Sequence, residues 1–516
     1  MTLPPPGRAK PPHASGRLGN RGTWMAVGAF GAVVVAAILL RFLDLATNPG
    51  GLYPDEAAEG LDAARLLHQP GFHADFLVWF PSDGGREALF AYVAAALFHF
   101  FGDTALVLRA TAAAFGVAGV VAIGALGRRF GTWTGIVAAA WAGGSLWLMC
   151  VSRDGMRNTI VPFFGAVALI ALLNWAARPG SRSALAAGAV TSIAALYTYQ
   201  PLKLLPVLAV VWLFWLRRSD RARYDELRAG FVPFATAFLV VGAPMLAVAI
   251  AEPASFFGRA ASVSAFNPGV VADTNPLIHT LRTLGMFGLT GDPNPRHDVA
   301  ALPLLPLPLT VLAAAGLARL WRMRRDPSHS LILLALPVFL VAPLVGTEGG
   351  SPHGLRALGL AAPLGIAIGL GAVELVELGR RRWGRAAESL AVAAVAVTLT
   401  AVAVWSGWAY LSRPVADRYG AYSYPLVSLA NLAADHTGSA VIVGDYSATD
   451  VRFLDFDRPP TIVEPGTSIS NPAAYSEILA LSRTDLSAAL GPALEGRAVA
   501  VAWDPSGAPV VWAVVP

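Results

Sequence analysis

Residues 23–43 read TWMAVGAFGAVVVAAILLRFL, and shortly afterwards residues 51–57 read GLYPDEA. The first stretch is an apolar run of about 20 residues, the length of helix that crosses a hydrocarbon core of ~30 Å. A cleaved signal peptide is the rival reading, but the run is too long and lacks an Ala-x-Ala-like end. It is therefore expected to stay as a first membrane helix. Ahead of it, residues 1–22 carry Arg8, Lys10, Arg17 and Arg21 and no acid, which predicts a disordered tail on the cytosolic side. The second stretch then emerges on the opposite face, with the adjacent carboxylates of Asp55 and Glu56.

Further apolar runs lie near 87–102, 104–127, 132–151, 158–177, 183–199, 201–216, 229–251, 302–320, 330–346, 356–377 and 387–411. The expected fold is mainly α: a polytopic transmembrane helical bundle of about 11–13 spans. Arginines 217, 218, 221, 223 and 228, then 322, 324 and 325, then 380, 381, 382 and 385 mark cytosolic turns. The bundle occupies 23–411, with a first outer loop at 44–86 and a second large one at 252–301. Six candidate spans fall between the first loop and Arg217, where an odd number is required. The run at 87–102, only ~16 residues, is the suspected partial crossing. After residue 411 the pattern changes. Short apolar runs at 439–444 and 498–503 predict strands, and 475–490 predicts a helix, giving a small extracytoplasmic α/β domain over 412–516.

Composition agrees. Of 516 residues 55% are hydrophobic and 14% charged, against about 25% charged in soluble domains. The net charge of +5 belongs to arginines flanking apolar runs, so membrane topology explains it and nucleic acid does not. Cys150 alone supports neither a disulfide framework nor a cysteine metal site.

The first outer loop holds seven acids: Asp44, Asp55, Glu56, Glu59, Asp62, Asp75 and Asp83. Adjacent carboxylates repel, which suits one of them to general-base work. The plainer reading is a helix N-terminus, with Asp55 as N-cap after Pro54 and Glu56 and Glu59 in the first turn. Gly84-Gly85-Arg86-Glu87 follows, where the glycines suggest a tight backbone approach. Lys203, in Tyr197-Thr198-Tyr199-Gln200-Pro201-Leu202-Lys203, is one of only two lysines beside 36 arginines. A lone cation between apolar runs is costly and marks a functional site unless it snorkels to the interface.

The Asp-Glu pair, then GREALFAYVAAALFHFFG from Gly85, VLRATAAAFGVAGVVAIGALGRRFG from Val107 and VSRDGMRNTIVPFF from Val151, resemble in order and spacing the GT-C class of membrane glycosyltransferases. The likeness spans roughly residues 23–380. It is closest to the family 39 group, which includes protein O-mannosyltransferases and lipid A aminoarabinose transferases. The resemblance implies Asp55 as catalytic base with Glu56 beside it, and a polyprenyl-phosphate sugar as donor. It implies inverting transfer to a protein, lipid or glycan hydroxyl outside the plasma membrane. The family's lysine and proline at the start of its second helix are missing from Arg86-Glu87-Ala88-Leu89, which passes the phosphate contact to Arg86.

Transfer from a lipid phosphate leaves a phosphomonoester, whose charge calls for placed cations. Arg86, Lys203, Arg296 and Arg356 are the candidates, and Glu87, His297, His353 and Arg153 are expected to line the same site. No metal or other cofactor is required by any motif. A divalent ion would find ligands only if the fold brought Glu87 to His297 or His353. Asp455-Phe456-Asp457 has the Asp-x-Asp form of nucleotide-sugar enzymes, but the surrounding segment is too short for their fold. The rival class is a transporter or flippase of a lipid-linked sugar, which would not need the carboxylate pair.

Overall fold

In the computed structural model, residues 20–81, 84–265, 275–491 and 496–516 are described. Asp83 and residues 1–19 of the expected tail lie outside them. Residues 20–22 already belong to the first helix, α1 (Asn20–Phe42). A loop helix, α2 (Pro54–His68), and the antiparallel pair β1 (Trp79–Phe80) and β2 (Arg86–Glu87) lead into α3 (Leu89–Phe101). There follow α4 (Ala105–Gly127), α5 (Thr132–Gly144), α6 (Leu146–Arg153), α7 (Val161–Ala177), α8 (Ser181–Leu196), α9 (Leu205–Ser219), the short α10 (Arg221–Arg228) and α11 (Phe231–Ala251). Loop helices α12 (Pro253–Ser262) and α13 (Pro276–Gly285) precede α14 (Leu307–Arg322), α15 (Pro327–Val345), α16 (Ala361–Trp383) and α17 (Arg385–Leu411).

Among the described residues eight helical segments are long and apolar enough to cross a membrane, and α5 with α6, bent by 57°, makes a ninth if the pair is one span. The bend falls at Ser145, whose hydroxyl accepts from Leu148 N and so caps the second half as a new helix. The 16-residue α8 and α14 are shorter and pack along α11 and α16. α16 lies at the centre, with 78% of its apolar window buried; α1 and α17, at 11% and 17%, turn theirs outward to lipid.

The run at 87–102 is the short α3, with only 13 residues. Glu87, just before it, pairs with Lys203, and Asp103, just after it, pairs with His68 of α2. At that length α3 is too short to cross alone, in keeping with the partial crossing expected at 87–102.

Beyond α17 come α18 (Val415–Arg418), α19 (Tyr424–Asp435), β3 (Ala440–Ile442), α20 (Asp445–Leu454), β4 (Thr461–Val463), β5 (Ile478–Ala480), α21 (Arg483–Leu490), β6 (Val499–Trp503) and β7 (Pro509–Val514). The sheet order is β4-β3-β5-β7-β6, with β3 parallel to both neighbours and the other pairs antiparallel. Alternate residues serve opposite faces: Val441 and Leu479 pack with α19 and α20, while Ala440, Ile442, Ile478 and Ala480 pack with α21. The strands expected at 439–444 and 498–503 are present. The helix expected over 475–490 is present only as α21 (Arg483–Leu490), and Ile478–Ala480 is strand. Ile478, Leu479 and Ala480 are buried on both faces of a sheet interior, and such a run has no period to separate it from a helix.

Candidate functional site

At the end of the bundle nearest the sheet lies a cavity of about 450 Å³. Six of the expected residues line it: Asp55, Lys203, Arg296, His297, His353 and Arg356. Arg157, Tyr53, Tyr199 and Glu348 join them. Glu56, Arg86, Glu87 and Arg153 are not part of the lining.

Asp55 reaches the cavity because of how α2 starts. The N-cap is Tyr53, not Asp55; Pro54 takes the first helical position, where its missing N–H costs nothing. Asp55 and Glu56 then fall in the first turn, where a carboxylate suits the helix dipole. The two point to different surroundings. Asp55 is half-buried, and its Oδ1 accepts a 2.7 Å hydrogen bond from the Tyr446 hydroxyl of α20. Tyr53 packs edge-on to Tyr446, and the Arg296 guanidinium lies 3.4 Å from the centre of the Tyr53 ring.

Glu56 is 1% exposed. Its two oxygens take Arg109 Nε at 2.6 Å and Arg109 Nη2 at 2.9 Å, and Gly155 N donates to Oε1 at 2.9 Å. Arg109 also reaches the Gly51 carbonyl. The expected pair of neighbouring site carboxylates is thus one cavity acid and one structural acid tying α2 to α4 and the α6–α7 turn.

The other acids of α2 are also matched. Arg157 Nη1 donates to Glu59 Oε1 at 2.5 Å, and Arg157 Nε to Glu87 Oε2 at 3.1 Å. Lys203 Nζ stands 3.2 Å from Glu87 Oε1, so Glu59, Arg157, Glu87 and Lys203 form one alternating chain of charge beneath the cavity. Lys203 also lies 4.7 Å from the centre of the Phe256 ring and 5.6 Å from that of Trp79, with a fifth of its side chain accessible. Glu87 is therefore a buried support for two cavity cations.

Arg86 lies outside the cavity lining. It is buried against Asp62, Nη2 to Oδ2 at 2.5 Å. Burial pushes Asp62 up to about 6, with the Arg86 charge opposing it. The glycines before Arg86 serve packing. Gly84 and Gly85 have positive φ, and a Cβ on Gly85 would strike the Trp79 ring and the Ser255 carbonyl. Arg153 is likewise structural. Fully buried, it donates to the carbonyls of Leu40, Leu43 and Asn48 and so anchors the end of α1. The cation that faces the cavity is Arg157, one helical turn later in the same quoted cluster.

On the opposite wall, Asp292 accepts from His297 Nδ1 at 2.7 Å, Gly354 N at 2.6 Å and Asn294 N at 2.8 Å. Burial raises the Asp292 carboxyl, but the bond and charge of His297 more than offset it, leaving it below the usual range. Burial pushes His297 and His353 down, so both imidazoles are neutral at pH 7. Their rings sit 4.9 Å apart. Asp292, His297 and His353 bring ligand atoms within 4.8 Å of one another, a spacing compatible with a metal ion. Glu87 does not join the histidines; it is taken by Arg157 and Lys203. Asp455 and Asp457 line a separate groove of about 590 Å³ beside His436 and Asp103.

Tyr446 was beyond the reach of sequence reasoning: it lies 391 residues from its partner and no motif links the two. Arg157 was nearer to view, since it opens the turn before an apolar run that begins on the outer side.

No family model matches the chain, and no curated protein matches it. Solved structures do. ArnT from Cupriavidus metallidurans bound to undecaprenyl phosphate is 16% identical, with a TM-score of 0.57 over 95% of this chain and 97% of that one. Its apo state is 15% identical, with a TM-score of 0.58 over 96% and 98%. An oligosaccharyltransferase from Archaeoglobus fulgidus, AglB, in complex with an inhibitory peptide and a dolichol-phosphate is 12% identical, with a TM-score of 0.52 over 96% and 74%. The likeness is one of fold: the chain has the GT-C membrane glycosyltransferase fold.

Proposed function

We propose that this protein is an inverting membrane glycosyltransferase that moves a sugar from a polyprenyl-phosphate donor to an acceptor hydroxyl, with its cavity on the extracytoplasmic face. One observation carries the reading: Asp55, the one carboxylate that α2 turns into the cavity, shares it with Arg157, Lys203, Arg296 and Arg356. That is one base facing a set of phosphate-binding cations. The arginine-rich turns after α9, α14 and α16, at the far end of the bundle from the cavity, support that side. That ArnT binds undecaprenyl phosphate and AglB a dolichol-phosphate on the same fold supports a lipid-phosphate donor.

In the step itself, Asp55 accepts the proton of the acceptor hydroxyl as that oxygen bonds to the anomeric carbon. The bond from this carbon to the phosphate oxygen breaks, and its electron pair leaves with the polyprenyl phosphate. Attack opposite the leaving group inverts the anomeric configuration. Lys203 and Arg157, held in place by Glu87 and Glu59, hold the phosphate as its negative charge grows. Charge stabilisation by fixed groups needs no reorganisation during reaction, which explains why the acids behind these cations are buried.

The test is to incubate purified protein with radiolabelled undecaprenyl-phosphate sugars and a cell-envelope extract and to identify the labelled product. Asp55→Asn should lose transfer ~10²-fold or more while still binding undecaprenyl phosphate. A variant that keeps more than about a tenth of the wild-type rate rules out the base role.

A further inference from the structure

The only hydrogen bond to Asp55 among the described residues comes from the segment beyond the bundle. α20 lies along α2, and three of its residues on one face are spaced at helical intervals: Tyr446, Asp450 and Phe453. Phe453 fixes the far end. It stacks on Phe98 at 6.1 Å and fills a notch at Gly60, where a methyl would sit 2.5 Å from its ring. Tyr446 at the near end then meets Asp55, with the Tyr53 ring edge-on behind it at 6.4 Å.

We propose that Tyr446 is a positioning residue for Asp55: its phenol holds Oδ1, so that Oδ2 is the oxygen presented to the acceptor hydroxyl. The inference rests on the reading of Asp55 as base. A carboxylate at the start of a helix has two free side-chain torsions, and a base works only within hydrogen-bond reach of its proton. The phenol removes that freedom without neutralising the charge, as an arginine would. Burial and the nearby Asp55 charge both hold the Tyr446 hydroxyl above its usual range, so it remains a donor. Because α20 belongs to the sheet-bearing segment, that segment completes the site.

Tyr446→Phe removes the hydroxyl and keeps the ring, at a position 47% exposed where folding is not at stake. With a radiolabelled undecaprenyl-phosphate sugar and saturating cell-envelope extract, its kcat should fall ~10- to 100-fold, the range for a misplaced reacting group. KM for the donor should stay within about 2-fold. Tyr424→Phe is the control. That hydroxyl bonds the Pro49 carbonyl at 2.6 Å and touches no cavity group, so kcat should be unchanged. Transfer by the wild type together with an unchanged kcat in Tyr446→Phe overturns the inference alone. A rise in donor KM with kcat intact also overturns it, because it makes Tyr446 a substrate contact. An equal fall in Tyr424→Phe overturns it as general loosening. No transfer by the wild type from any labelled donor overturns the transferase reading, and the inference with it.

Discussion

Asp450→Asn should stabilise the protein, and the gain should grow with pH. Asp450 sits on α20 between Tyr446 and Phe453, 0% exposed, with neither carboxylate oxygen bonded to a partner. Burial, reinforced by the charges of Glu56 and Asp55, pushes it up to about 9. Folded protein therefore keeps this proton at pH 7 while unfolded chain, with an ordinary carboxyl, has lost it. The sign follows: the group costs nothing below pH ~4, and the cost rises until the pH reaches the folded value. At ~1.4 kcal/mol per pH unit, pH 7 stands about three units into that window, so the cost is at most about 4 kcal/mol. Asparagine is a neutral near-isostere that removes the titration, though its amide inherits the same unbonded setting. In detergent, at a fixed heating rate, the variant's apparent Tm should match the wild type near pH 4. It should exceed the wild type by about 2 °C or more at pH 8, allowing for irreversible unfolding. A constant Tm difference between pH 4 and pH 8 would refute a buried neutral acid. A variant less stable at every pH would mean that the carboxylate is ionised and bonded.

Lys203→Met should weaken binding of free undecaprenyl phosphate by ~1–3 kcal/mol, the range for hydrogen bonds to charged groups. Equal affinity by calorimetry would make Lys203 an anchor among Trp79, Phe256 and Glu87 only. Glu56→Gln should cost ~3–5 kcal/mol of stability, because it leaves Arg109 buried without its charge partner. Its signature is loss of monodisperse protein in size-exclusion chromatography, whereas Asp55→Asn should elute as the wild type does.

What was legible in the sequence was what depends on local pattern. The membrane helices could be counted because lipid imposes a length on each apolar run. The partial crossing at α3 showed itself by falling short of that length. Lys203 stood out by rarity and Asp55 by the family likeness. The expected residues that stand outside the cavity lining share one trait. Arg86, Arg153, Glu56 and Glu87 are charged residues in outer segments, as Arg157 and Arg296 are, and sequence cannot say whether a charge faces a cavity or a buried counter-charge. The distinction lies in contacts such as Glu56 to Arg109, 53 positions apart. Gly84 and Gly85 were rightly read as a close approach, but the approaching group is the protein's own Trp79.

The assignment of the base finally rests on which acid of α2 lacks a counter-ion. Asp55, Glu56, Glu59 and Asp62 all lie within three turns of one short helix. Three of them are neutralised by guanidiniums from three other elements: Arg109 on α4, Arg157 before α7 and Arg86 on β2. Each such pair, once buried, has lost the use of its charge for chemistry, since taking the proton of an acceptor would strand the arginine. Asp55 alone has a neutral partner, Tyr446, and alone among the four lines the cavity. A phenol orients a carboxylate and leaves it free to accept a proton. The three ion pairs fix the helix, and the Tyr446 phenol orients the fourth acid on it. On this argument, placing a cation beside Asp55 by Tyr446→Arg should abolish transfer more fully than Tyr446→Phe does, because the base would then be held as the other three acids are.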